Sequence, residues 1–386
     1  MACPWFIFAG GGTGGHLYPG LAVAAELTAL AGRAKIVFAC SNRAIDRRIL
    51  DPLSYAVVPQ PVLPIPNRPG KVWRFFRAWL SSQRQSRQMV LDLRPRAVLG
   101  LGGFAAAPLV RATARAGIPT ALLNPDAVPG RANRYLARRV DVIFTQFDAT
   151  ADRFAAPLRA KVRAAGCPIR KGFASADRAE AVAHFGLDAD RKTLLVCGGS
   201  LGAEAINAAI RELVRGLLGE FLEASWQVVH ITGRSRKTAS GAASGDPHVQ
   251  CLEYCDRMAL ALSSADLAVV RGGASTIAEL TATGTPAVVV PYPHHKDRQQ
   301  VLNAQPLAEA GAAVVCEQTA EPLAGPLGNV LREILADPQR LADMRASAQG
   351  LGRMGAAAQV ARWMIGRWPE ALVGNGADTQ NRRLGL

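Results

Sequence analysis

The feature that most limits the fold of this chain is a regular alternation. Short, wholly apolar runs are separated by longer stretches of helical period. The first set reads WFIFA (5–9), KIVFAC (35–40), AVLGLG (97–102), PTALL (119–123) and VDVIFT (140–145). After a break the pattern resumes with TLLVC (193–197), QVVHIT (227–232), HVQCL (248–252), DLAVV (266–270), PAVVV (286–290) and AAVVC (312–316). Strands apolar on both faces, with helices between them, predict parallel sheets covered on both sides. The fold class is therefore α/β.

The break divides the chain. Residues 1–167 are expected to form one domain, 168–190 a linker carrying a helix, and 191–353 a second domain, followed by a C-terminal helix at 354–370 and a disordered tail at 371–386. A weak internal repeat supports the division. FIFAGGGTGGH and LLVCGGSLGAEAIN both read strand, glycine-rich turn, helix, half a chain apart around Gly11 and Gly198. Two such openings predict two Rossmann-like, doubly wound domains facing a cleft.

Glycine-rich turns before helices let a ligand approach the main chain, and the helix start offers unpaired N–H groups to an anion. Gly10, Gly12 and Gly15 also match a dinucleotide fingerprint, which wants a carboxylate at the end of the second strand. That position reads CSNR, with no carboxylate; Arg43 there would suit a 2′-phosphate at best. No Gly-Lys-Ser/Thr follows either loop, which removes a P-loop nucleotidase. A third loop, Leu99–Pro108, adds main-chain donors to the first domain.

The formal net charge of +15 calls for an anionic partner. Aromatic residues make up only 6% and no nucleic-acid-binding signature appears, so phosphorylated substrates or an anionic membrane surface fit better than nucleic acid. The seven scattered cysteines read as buried free thiols of a reducing compartment. The DAD at 188–190 reads as a turn before a strand, so no metal site is expected. No secretory signal and no membrane-spanning run is evident, which points to the cytoplasm.

Two further stretches carry chemistry. In 269–307, Glu279 lies on a helix between two apolar strands, where a carboxylate can chelate ribose hydroxyls. HHKDRQQVLN then gathers amide side chains, Gln299, Gln300 and Asn303, after a strand's C-terminal end, as a sugar site requires. In 67–87, Val72, Phe75, Phe76, Trp79 and Leu80 share one helical face, with Arg74, Arg77, Arg84 and Arg87 largely off it. Such a helix can cover a sheet, rest on a membrane, or do both if its end protrudes.

These stretches resemble the MurG family of bacterial glycosyltransferases. The blocks, in order, are GGGTGGHLYPGLAVAAEL, GLGGFAAAP, AVPGRANRYLA, GCPIR, GGSLGAEAIN, RGGASTIAEL and HKDRQQVLNAQPLAEAGAA, spanning about residues 7–318. The resemblance implies a GT-B fold and inverting, metal-independent transfer of N-acetylglucosamine (GlcNAc) from UDP-GlcNAc. The acceptor would be undecaprenyl-diphosphate-MurNAc-pentapeptide (lipid I), and the product lipid II. It also implies a peripheral position on the cytoplasmic face of the membrane and no cofactor. Carried over by motif, Thr13, Gly14, Gly15 and His16 would lie near acceptor and sugar, with Gly102 and Gly103 around the lipid diphosphate. Arg170 and Ser200 would meet the UDP phosphates, the backbone near Cys255 the uracil, Glu279 the ribose, and Gln299, Gln300 and Asn303 the GlcNAc hydroxyls.

The chain departs from the family pattern in places. The family's HEQN is here LNPD, so Asp126 replaces an asparagine expected at the donor sugar; Phe104 replaces a tyrosine, Gly272 a serine and Leu201 a glutamine. His16 is the candidate general base, since imidazole titrates near neutrality; Asp126 is the local alternative, as a carboxylate facing the sugar could take the proton. Competing readings are a GT-B enzyme for another lipid acceptor, such as diacylglycerol, and an inactive UDP-sugar-binding protein. The AVPGRAN and HKDRQQVLNA blocks favour the first assignment.

Overall fold

The computed structural model describes residues 3–66, 69–199, 202–233, 246–294, 297–319 and 322–366. The chain divides into two compact units. All eleven apolar runs form strands.

The first unit holds a seven-stranded sheet of β1 (Trp5–Gly10), β2 (Lys35–Ser41), β3 (Ala56–Gln60), β4 (Ala97–Gly102), β5 (Thr120–Asn124), β6 (Val142–Thr145) and β7 (Val162–Ala164). The order is β3-β2-β1-β4-β5-β6-β7, with every described pairing parallel. β3 and β7, at the two edges of this sheet, went unread in the sequence. β3 carries Pro59, which cannot donate to a ladder and is tolerated at an edge, and β7 is only three residues long. Side chains of β1 alternate between two cores: Phe6 and Phe8 pack in one, with the Phe8 ring 5.0 Å from that of Phe38, and Ile7 and Ala9 in the other. This is the double burial that the unbroken apolar runs require.

Helices α1 (Gly14–Ala31), α2 (Ala44–Leu50), α3 (Val72–Leu93), α4 (Ala107–Arg115) and α5 (Arg131–Leu136) belong to this unit. So does the helix Ala356–Gly366, far along the chain. Its Ala357, Val360, Ala361, Met364 and Ile365 join the core around Phe6, Phe8 and Leu17, and Trp363 meets Phe144 edge-on at 5.9 Å.

The second unit comprises Pro125–Val128 and Ile169–Met354. Its six parallel strands are β8 (Lys192–Cys197), β9 (Trp226–Ile231), β10 (Val249–Leu252), β11 (Leu267–Val270), β12 (Ala287–Val289) and β13 (Ala313–Val315), in the order β10-β9-β8-β11-β12-β13. The stretch 168–190, expected to link the domains, contributes short helices here. Arg178, on the helix Arg178–Phe185, donates to the Ser264 carbonyl at 2.8 Å and pairs with Asp266 at 3.0 Å. Asp188–Asp190 is a turn before β8, with Asp188 Oδ1 accepting the Asp190 N–H at 2.9 Å. The expected tail 371–386 lies outside the described residues.

Both sheets reverse direction of growth at their first strand. In each, the next strand in sequence is added on one side of it (β2, β9), and a later one on the other (β4, β11). Ligands of open parallel sheets bind beyond the carboxyl ends of the strands at that switch point. The glycine-rich turns follow β1 and β4 in the first unit and β8 and β11 in the second, so the sequence blocks and the topology select the same edges.

Candidate active site

In the first unit, β1 ends in Gly10–Gly12 and α1 begins at Gly14, with Thr13 at its N-cap and no side chain capping it. That leaves the helix start available to an anion. Thr13 and Gly15 are exposed and His16 is half-buried. The Thr13 hydroxyl lies 3.0 Å from His16 Nδ1. The other edge of the imidazole rests on the turn after β4. A Cβ on Gly102 would stand 3.2 Å from His16 Cδ2 and 3.3 Å from Nε2, and φ there is +96°, so only glycine suits the position. Gly103 likewise lies beside the ring. Thr13, His16, Gly102 and Gly103 are thus brought together.

The sequence reading missed what holds this loop. Asp46, in the first turn of α2, is fully buried. Its Oδ1 accepts the Gly12 N–H at 2.6 Å; its Oδ2 accepts the Ser41 N–H at 3.1 Å and the Ser41 hydroxyl. The carboxylate sought at the end of β2 therefore exists, a few residues later, and grips the glycine loop instead of a ribose. The signal was present in the spacing: Asp46 shares the buried face of α2 with Ile49 and Leu50. Arg43, weighed as a phosphate ligand, donates to the Gly12 carbonyl at 3.3 Å and stacks 5.0 Å over the Phe104 ring. Phe104, in place of the family's tyrosine, thereby acts as a face for a guanidinium.

In the second unit, β8 leads through Gly198 and Gly199 to the helix Glu204–Val214, which also starts without a side-chain cap. Ser200 and Leu201 lie outside the described residues. Behind the loop, Asn207 is fully buried, donating to the Thr232 carbonyl at 2.9 Å and lying 3.0 Å from His230 Nε2. Burial pushes the His230 pKa down to about 4, so this imidazole is neutral at physiological pH.

Arg170 and Glu279 sense one another's charge. Burial raises the Glu279 carboxyl to about 7, with Arg170 as the opposing influence. Burial likewise holds the nearby Cys255 and Cys197 thiols above their ordinary range, Cys197 at about 11, so neither is a nucleophile at neutral pH. Arg170, Cys255 and Glu279, expected around one nucleotide, are therefore gathered together, with Cys197 an unanticipated neighbour.

The amide cluster is only partly as expected. Gln299 and Gln300 open the helix Gln299–Glu309, and Gln300 Oε1 accepts the Tyr292 N–H at 2.8 Å. Asn303 differs. It is fully buried, its Nδ2 donates to Asp126 Oδ1 (3.1 Å) and the Gly272 carbonyl (3.0 Å), and its Oδ1 accepts the Ala127 N–H (2.8 Å). Asn303, expected at the GlcNAc hydroxyls, is thus buried with its amide bonded to the protein. Its hydrogen-bonding groups are engaged in tying Pro125–Val128 to the β11 turn. Asp126, in turn, has one carboxylate oxygen committed to Asn303. Gly272 presses on the same helix: a Cβ there would fall 2.3 Å from the Gln300 carbonyl oxygen.

Two parallel sheets whose first six strands run in the same order, each carrying an uncapped glycine-turn-helix at its switch point, have the GT-B architecture, and the family 28 domains make the chain a glycosyltransferase. The glycosyltransferase family 28 N-terminal domain matches residues 6–145 and its C-terminal domain residues 193–360. The structure resembles the crystal structure of Acinetobacter baumannii MurG (TM-score 0.72, 25% identity, covering 94% of this chain and 99% of that one). It shares its fold alone with a UDP-GlcNAc 2-epimerase from Neisseria meningitidis (TM-score 0.66, 13% identity, covering 95% and 100%). Two relatives carry the name UDP-N-acetylglucosamine–N-acetylmuramyl-(pentapeptide) pyrophosphoryl-undecaprenol N-acetylglucosamine transferase. That of Clavibacter michiganensis is 36% identical over 92% of this chain and 94% of its own; that of Leifsonia xyli is 37% identical over 90% and 94%. The chain belongs to the MurG family of glycosyltransferases.

Proposed function

We propose that this enzyme transfers GlcNAc from UDP-GlcNAc to undecaprenyl-diphosphate-MurNAc-pentapeptide, giving lipid II for peptidoglycan synthesis. The observation that carries the reading is the match, across nine-tenths of the chain, to relatives named for that reaction. The second unit suits the donor. The uncapped helix start after β8 and the Arg170 guanidinium offer positive potential to a diphosphate, and Glu279 offers paired acceptors to a ribose. That field can stabilise the leaving UDP without a metal, each donor being worth roughly 3 kcal/mol. The first unit suits the acceptor, with the β1 and β4 turns around its diphosphate and His16 taking the proton of the attacking hydroxyl. Asp126 is the second candidate for that proton. Its bond to Asn303 supports an anchoring role instead.

The same reading places the protein on the cytoplasmic face of the membrane, bound peripherally. Among the described residues no helix is long and apolar enough to cross a bilayer. α3 packs on its unit through Ser82, Gln83, Ser86, Met89 and Val90, yet its first turns leave Val72, Trp73, Phe76 and Leu80 about half or more exposed beside Arg74 and Arg77. An apolar face flanked by arginines suits an anionic lipid surface.

The test is turnover of purified protein with radiolabelled UDP-GlcNAc and a short-chain lipid I analogue, with and without EDTA. Label in a lipid II-like product, unaffected by EDTA, is expected. UDP-GlcNAc binding without transfer would redirect the search to another acceptor. A loss under tenfold in Asp126→Ala removes Asp126 as the base.

A further inference from the structure

Three turns meet at the carboxyl edge of the first sheet, after β2, β1 and β4, which stand side by side at its switch point. Arg43, in the turn between β2 and α2, reaches the other two. Its Nη1 donates to the Gly12 carbonyl at 3.3 Å, and its Cζ lies 5.0 Å from the centre of the Phe104 ring. A Cβ on Gly12 would stand 3.5 Å from Nη1 and 3.8 Å from Cδ, so the side chain of Arg43 lies along the face of the loop that lacks one of its own. Arg43 is exposed, and holding an exposed arginine in one place costs conformational entropy. An ion pair is the usual compensation, yet among the described residues no carboxylate pairs with Arg43. Asp46, the nearest in sequence, is buried and turned to the Gly12 N–H and to Ser41. Arg47, the next cation along the chain, donates to Asn42 Oδ1 at 2.6 Å. The Arg43 guanidinium therefore spends one N–H on Gly12, and no acceptor among the described residues takes the others.

We propose that Arg43 is a binding residue for the diphosphate of the lipid acceptor, an inference that rests on the first unit being the acceptor's. The Phe104 ring supplies the face on which the guanidinium stacks, and the Gly12 carbonyl fixes its inner edge. The outer edge keeps paired N–H groups for phosphate oxygens. α1 begins at Gly14, two residues beyond that seat, and its uncapped start adds main-chain donors. A helix start carries only about half an elementary charge, whereas an esterified diphosphate carries a full charge on each phosphate. A preorganised cation at the loop supplies what the main chain lacks.

The test is calorimetric binding of farnesyl diphosphate to the full-length protein, with saturating UDP added to fill the donor's own phosphate site. The wild type should bind it, less tightly as salt is raised. Arg43→Gln should weaken that binding by about tenfold or more at an unchanged melting temperature. Arg43→Lys should weaken it less, because the charge stays while the fork and the stacking are lost. Phe104→Leu should weaken it by about threefold, since the guanidinium loses its seat. In turnover, Arg43→Gln should raise KM for a short-chain lipid I analogue by about tenfold while KM for UDP-GlcNAc stays within about twofold. Equal farnesyl diphosphate affinity in Arg43→Gln, or no binding by the wild type, overturns the proposal and leaves Arg43 as a brace for the Gly12 carbonyl. Weaker binding of Arg43→Gln to phosphatidylglycerol vesicles, with farnesyl diphosphate affinity unchanged, also overturns it and assigns the cation to membrane headgroups. Absence of lipid II formation by the wild type would instead count against the proposed reaction, and the farnesyl diphosphate titration would still decide the role of Arg43.

Discussion

The Asp46 carboxylate accepts the main-chain N–H of Gly12 at 2.6 Å, joining the first turn of α2 to the loop that opens α1. It also satisfies two groups of Ser41, all in a fully buried position. Asp46→Ala leaves three buried donors without an acceptor. Each hydrogen bond to a charged group is worth roughly 1.5–3 kcal/mol, so a loss of at least about 3 kcal/mol is expected. Denaturant unfolding measures it. Activity should fall further than the unfolded fraction explains, because the loop beneath Thr13 and His16 loses its support. A variant with wild-type stability would show that the loop holds itself.

Glu279 makes the donor site sensitive to pH. Its carboxyl is raised from 4.5 to about 7 by burial, and in the proposed donor site it would have to be ionised to accept two ribose hydroxyls. KM for UDP-GlcNAc should therefore rise by about tenfold between pH 8 and pH 6, and Glu279→Gln should flatten that dependence at a higher KM. Stability runs the other way. The folded group keeps its proton up to about pH 7 and the unfolded one releases it near 4.5, so stability present below 4.5 is lost as pH rises through 7. Glu279→Gln should then be more stable than wild type at pH 8, by up to about 3 kcal/mol. His230 opposes this over the same range. Its depressed pKa gives stability that is present above 6.5 and lost as pH falls through about 4. Thermal melts of Glu279→Gln and His230→Gln between pH 4 and pH 8 separate the two slopes.

Gly272 departs from the family's serine, and the structure supplies the reason. With a Cβ position 2.3 Å from the Gln300 carbonyl, the β11 turn and the helix Gln299–Glu309 approach too closely for any side chain. Restoring the family residue, Gly272→Ser, should destabilise the protein by about 1–3 kcal/mol and weaken UDP-GlcNAc binding, as read by melting temperature and calorimetry. An unchanged melting temperature would mean that the helix start yields without cost.

The exposed turns of α3 should govern attachment to lipid. Trp73→Ser combined with Phe76→Ser and Leu80→Ser is expected to weaken binding to phosphatidylglycerol vesicles by about tenfold or more in a sedimentation assay. Raised salt should weaken the wild type as well, through Arg74 and Arg77. Turnover of a water-soluble acceptor should be preserved. Equal vesicle binding by the triple variant would assign attachment to another surface.

Much of this was legible in the sequence, for reasons that also mark its limits. Unbroken apolar runs report burial on both faces, so every one of them became a strand. β3, broken by Pro59, and β7, three residues around an exposed Arg163, offered no such run. Glycine turns declare themselves because backbone geometry demands the residue, and both loops lie at switch points. Polar side chains carry no comparable mark of direction. Asn303 looked like a sugar ligand by its company in HKDRQQVLN, yet it turns inward to Asp126 and Gly272. Asp46 drew no notice in the sequence and is buried. Whether an amide or carboxylate faces ligand or backbone depends on contacts between segments far apart in the chain, which local spacing does not encode.

The helix Ala356–Gly366 supplies five core side chains to the unit built mostly from the first 168 residues. On the ribosome, that unit cannot close its interior when its own sheet is finished. The strip over Phe6, Phe8 and Leu17 waits, uncovered, while some two hundred further residues are made. Domains usually fold in the order of synthesis. Here the second unit can mature first and the N-terminal one must be sealed last, so a translation product stopped before residue 356 would carry an open apolar seam and be a natural client for chaperones.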